Sequence, residues 1–178
     1  MARLSQCVSG FLVLAALVAS GCAAAAQPAA PVSGQIVAAA SGVNLAAEVT
    51  RVQLLPNGNA GNLRGQLAEL VPQHALFLVL DDLRAAQQPG IIYEIYLGLP
   101  PAATPSASDS HYVGTLNFFG VAPPNTARQS RSYNVTSLIQ RLLSEGLPEN
   151  NLAVTIVGNR QGASDAAPSI GRITLVAQ

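Results

Sequence analysis

The chain has 178 residues, nine acids balanced by nine bases, and 10% charged residues in all, far below the usual quarter. Every base is an arginine and none lie in a basic run, which argues against a nucleic-acid partner. It holds two cysteines and two histidines, and no phosphate loop, nucleophile elbow or His-Glu-x-x-His run, so no enzyme motif is legible.

Residues 1–21 read as a secretory signal: Arg3 precedes an apolar run from Val8 to Val18 that is short for a membrane span. Ala19-Ser20-Gly21-Cys22 resembles the lipobox of bacterial lipoproteins, in which Cys22 is lipidated and becomes the first mature residue. The alternative is ordinary cleavage after one of the alanines at 23–26. Lipidation predicts a membrane anchor in the bacterial cell envelope, outer membrane, periplasm or cell surface. Cys7 would leave with the signal, so no thiol remains for a disulfide, a zinc site or a nucleophile. Residues 22–33 are Ala/Pro-rich and read as a tether, with the folded domain expected over 34–178.

Gln35 to Ala40 is a weak strand signal, and Leu45 to Leu55 alternates better, with Thr50, Val52 and Leu54 on one face. Pro56 to Asn62 is a turn or loop in which Asn57-Gly58 suits positive φ. Leu63 to Leu70 fits either a strand or a short helical turn. Ala75 to Leu83 is a continuous apolar strand ending in Asp81-Asp82, an acid pair too small for a calcium loop. The most strand-like stretches are Gly90 to Leu97 and His111 to Phe119. In the first, Ile91, Tyr93, Ile95 and Leu97 share one face, and Ile92, Glu94 and Tyr96 the other. In the second, Tyr112, Gly114, Leu116 and Phe118 share a face. Glu94 in so apolar a strand needs a partner or an edge, and Arg131 or Arg172 is a candidate ion pair. One ring of Phe118-Phe119 should face inward; its neighbour faces out and is a candidate anchor for a partner.

Two proline-rich stretches, 99–110 and 121–129, read as surface loops. His111 beside Asp109 fits an exposed strand residue or a metal ligand, and His74 fits a turn. Ser130 to Val135 is a short strand. A helix follows, with a Ser137/Gln140 capping box, an apolar stripe of Leu138, Ile139, Leu142 and Leu143, and a stop at Gly146-Leu147-Pro148. Leu152 to Val157 and Ser169 to Ala177 are the last strands. About seven to eight short strands, many Gly/Pro turns and one short α-helix predict an all-β fold, a β-sandwich.

Tyr93-Glu94-Ile95-Tyr96 and, after a loop, Tyr112-Val113-Gly114-Thr115-Leu116-Asn117 resemble paired strand motifs in the C-terminal β-domain of tyrosinases and plant polyphenol oxidases. The resemblance runs from about Leu76 to the end. It implies a sandwich of jelly-roll type in which Tyr93, Glu94, Ile95, Tyr96, Tyr112 and Gly114 are structural. The histidine-rich copper domain of those oxidases has no counterpart here, so the resemblance implies a non-catalytic module without cofactor or metal. In the oxidases this domain shields the copper-site entrance. The expected partner is therefore an exported type-3 copper oxidase, with the two proline-rich loops as the binding edge. The alternative is a structural or ligand-binding envelope lipoprotein with no oxidase partner.

Overall fold

A computed structural model describes residues 34–178, apart from 46–47, 59–61, 122, 124–126, 151 and 159–163. The signal, Cys22 and the tether lie outside the described residues, as does the Pro124-Asn125 part of the second proline-rich loop. Eight strands are described: β1 Gln35–Asn44, β2 Val49–Pro56, β3 Leu76–Arg84, β4 Tyr93–Leu97, β5 Tyr112–Leu116, β6 Arg131–Asn134, β7 Leu152–Gly158 and β8 Ser169–Ala177. Helix α1 spans Leu63–Leu70 and α2 spans Thr136–Glu145.

The strands hydrogen-bond in the order β5-β4-β7-β2-β1-β8-β3-β6, and every pairing is antiparallel. Between β2 and β1 only Ala38↔Pro56 and Ala39↔Leu55 register, so the order divides there into two four-stranded sheets. Their sequences, β1-β8-β3-β6 and β2-β7-β4-β5, are those of an eight-stranded jelly roll. The two free edges meet at one side chain, where the Tyr133 hydroxyl on β6 donates to the Thr115 carbonyl on β5 at 2.7 Å. Inward residues from both sheets form one core, including Leu54, Leu78, Leu80, Ile95, Leu97, Val154, Ile173 and Leu175. The expected all-β sandwich of jelly-roll type is therefore the fold.

Several local expectations change. Among the described residues there are two α-helices, not one. Asn62 caps α1, its Oδ1 accepting from the Gly65 amide at 2.9 Å, and Leu63 and Leu67 go into the core. Only two apolar positions of α1 are buried, which is why its eight residues carry so weak a period. Helix α2 begins two residues early, with Val135 at the N-cap, and does not use the Ser137/Gln140 box. Instead Asn134 Oδ1 accepts from the Thr136 amide and hydroxyl at 3.0 and 2.8 Å, and Thr136 Oγ1 accepts from the Leu76 amide. Its end matches the expectation. Gly146 is left-handed (φ 93°), and the Leu147 amide reaches back to the Leu142 carbonyl at 2.9 Å.

β4 is shorter than the apolar run that contains it: Ile91 and Ile92 precede the strand, and Ile92 is exposed. A bulge also changes the face of Tyr112. Register passes from Ile95↔Gly114 to Tyr96↔Tyr112, so Val113 is the extra residue. Tyr112 is thereby placed beside Tyr96, on the face opposite Leu116 and Phe118.

Candidate functional site

The residues of the paired strand motif are placed as follows. Tyr93 and Ile95 enter the core, and Tyr93 packs edge-on against Phe118 with ring centroids 5.7 Å apart. Burial raises the Tyr93 phenol pKa. Gly114 leaves room for Tyr133: a Cβ there would sit 3.1 Å from the Tyr133 ring. Tyr96 lies on the outer face yet is fully buried, and it meets the Tyr112 ring edge-on at 5.6 Å. Its hydroxyl donates to Glu94 Oε2 at 2.6 Å. Glu94 is thus answered by a neighbouring tyrosine rather than by Arg131 or Arg172. Burial first, and the Glu94 carboxylate second, push the Tyr96 pKa far up.

The first proline-rich loop follows β4 directly. It is a surface loop, as expected, with most of its residues exposed, and it is fastened to its own sheet at the near end. Leu99 is buried, Arg51 Nη2 donates to the Pro100 carbonyl at 3.1 Å, and the Gly98 amide reaches the Ala153 carbonyl. At its far end the Arg141 guanidinium donates to the Ser110 carbonyl. Asp109 Oδ1 accepts from the His111 amide at 2.8 Å and lies 2.7 Å from His111 Nδ1. The amide first, and the ring second, hold the Asp109 pKa below its ordinary value. Ser110 Oγ is 3.5 Å from that same Nδ1. A hydrolytic relay needs serine and carboxylate on opposite ring nitrogens, so this group is not one. His111 is partly buried at the end of the loop; His74 is exposed in a turn after α1. Among the described residues no His/Cys/Asp/Glu group of three or more is placed to hold a metal.

A second feature lies on the other sheet. Across β1, β8 and β3 one inward row is Ala40, Ile173 and Leu80. The next inward row is Val43, Ile170 and Leu83, three residues along instead of two. Each strand therefore turns two successive residues away from the core: Ser41-Gly42, Gly171-Arg172 and Asp81-Asp82. Left-handed backbone at Gly42 (φ 67°) and Asp82 (φ 57°) absorbs the extra residue and creases the sheet. Asp82 is held there by a two-point contact, Arg84 Nη2 to Oδ2 at 2.6 Å and Nε to Oδ1 at 3.0 Å. The Arg84 hydrogen bond keeps the Asp82 pKa below its ordinary value. Gly171 must be small, because a Cβ there would lie 2.5 Å from Asp82 Oδ2. Arg172 Nη2 stands 3.7 Å from Asp81 Oδ2. Two clefts, of about 310 and about 260 Å³, adjoin the crease and share Asp82 and Arg128 in their walls.

The turn after β5 stands beside the larger cleft. The Val121 amide bonds the Phe118 carbonyl at 3.1 Å and Gly120 has φ 73°, so Phe119 is at the turn's tip. Phe118 is fully buried and Phe119 is 80% exposed, as the inward/outward expectation for this pair requires. Val121 and Pro123 continue from the turn into the cleft wall. Sequence reading did not find the crease. Its signal is present as Leu80-Asp-Asp-Leu83, Ile170-Gly-Arg-Ile173 and Ala40-Ser-Gly-Val43, three polar or small pairs bracketed by apolar residues at i and i+3.

No curated protein matches this sequence. Among solved structures, recombinantly expressed latent aurone synthase (polyphenol oxidase) superposes with a TM-score of 0.51 at 14% identity, over 76% of this chain and 25% of that one. Latent apple tyrosinase gives a TM-score of 0.47 at 12% identity, over 75% of this chain and 26% of that one. The chain spans about a quarter of the length of either. At such identity the likeness is one of fold: this chain shares the fold of one part of a polyphenol oxidase. A family model described as a domain of unknown function, DUF7868, matches residues 32–178, and the chain belongs to that family.

Proposed function

We propose that this chain is a non-catalytic, lipid-anchored protein-binding module that docks on an exported type-3 copper oxidase and shields it. The observation that carries the reading is Phe119. A ring 80% exposed at the tip of a hydrogen-bonded turn, beside a buried Phe118, is a preformed apolar anchor. Covering a phenylalanine side chain is worth about 1.5–3 kcal/mol, enough for a tenfold or greater effect on a dissociation constant. The shared fold with part of latent aurone synthase supports the choice of oxidase as partner. The Cys22 lipid would hold the module at the cell envelope membrane, within reach of an exported partner.

The test is co-expression of the full chain with an exported tyrosinase from the same source. Co-purification of the two supports docking; no association at micromolar concentration removes the oxidase as partner. Cys22→Ser should abolish labelling by a palmitate analogue and release the chain from membranes. Persistent labelling would contradict the anchor.

A second reading, a structural or ligand-binding envelope lipoprotein, is favoured by a different observation. The 99–110 loop, one of the two expected binding edges, is fastened to its own sheet at its start, through Leu99 and the Arg51–Pro100 contact.

A further inference from the structure

We propose that the crease at Asp82 is a binding site for a small organic carboxylate with a compact apolar body. This stands independently of the oxidase partner. The larger cleft, at about 310 Å³, lies at the lower end of the range for ligand sites and has room for one ring. Leu83, Ala85, Val121 and Pro123 make one wall apolar. Arg128 lines both this cleft and the ionic one beside it, where Asp81, Gly171 and Arg172 complete the wall.

The charge balance selects the ligand. Among the described residues that line the two clefts, Arg84 is engaged by Asp82 and Arg172 faces Asp81, so three guanidiniums stand against two carboxylates, one positive charge over. A monoanion balances that charge. A dianion would meet the two aspartates and be repelled. Arg128 is also the right kind of group, since a guanidinium offers a planar pair of donors that matches a carboxylate. The site is organised before any ligand arrives. The Arg84–Asp82 clamp fixes the left-handed corner, and Gly171 allows the Asp82 side chain to lie flat against β8. In a chain that is only 10% charged, five charged side chains gather around one crease. A ligand-binding role accounts for it.

The purified full chain in detergent should be titrated with benzoate, followed by calorimetry and by NMR shifts of residues around the cleft. Benzoate should bind saturably and shift Leu83, Val121 and Gly171. Benzamide, which lacks the charge, and inorganic phosphate, which carries more of it and no ring, should each bind about tenfold more weakly or not at all. Arg128→Gln should weaken benzoate about tenfold, and Pro123→Glu, at an exposed position on the apolar wall, should abolish binding with an unchanged melting curve. Absence of saturable benzoate binding would overturn the proposal. So would equal binding of benzamide or of phosphate, or undiminished binding by both variants.

Discussion

Tyr96 shows how one residue can be buried on the outer face of a sheet. Tyr112 flanks it, and Glu94 takes its hydrogen bond. Its pKa is raised in the fold above an unfolded value of about 10. The stability that follows from this shift is fully present below about pH 10 and is lost as the pH rises beyond it. Tyr96→Phe should therefore be less stable than wild type at neutral pH, by about 1.5–3 kcal/mol for a hydrogen bond to a carboxylate. Its urea midpoint should also fall less steeply between about pH 9 and 11. An equal slope for both proteins would mean that Tyr96 is open to solvent. Ile95, on the opposite face of β4, is fully buried. Ile95→Ala should cost about 2–5 kcal/mol in chemical denaturation, and an unchanged midpoint would contradict its place in the core.

At the level of elements, the legible parts were those where local pattern and tertiary packing agree. The span of β8 and the Gly146 stop of α2 could be read because apolar period and chain-ending chemistry point the same way. What could not be read depends on contacts distant in sequence. Asn134 replaces the expected box at the start of α2 because Thr136 Oγ1 is recruited by the Leu76 amide, sixty residues away. Asn134→Ala should accordingly lower stability by about 0.5–2 kcal/mol in thermal unfolding, and Ser137→Ala should change little; the reverse ranking would restore the capping box. The crease escaped notice for another reason. A two-residue period has no place for inward residues three apart, so Leu80-Asp-Asp-Leu83 reads as a strand that simply ends. Only the matching interruptions in β1 and β8 show that all three strands shift together. Tyr112 was misplaced in the same way, by a single extra residue at Val113.

At the scale of the whole molecule, two sheets close on one core, and the seam between their free edges is bridged at Tyr133. A strand edge left open invites pairing with other chains, and this seam draws the two edges together. Among the described residues, the crease and the Phe119 turn beside it both face outward. The central claim is that this turn is the docking point of a shielding module. The most direct measurement is the diphenolase activity of the exported oxidase, titrated with the full chain and with Phe119→Ser in parallel. The account predicts reversible, saturable suppression by wild type, and a tenfold or larger rise in the concentration needed once the ring is gone. Suppression by both proteins at the same concentration would contradict Phe119 as the contact, and activity unchanged by either would contradict the shielding role itself.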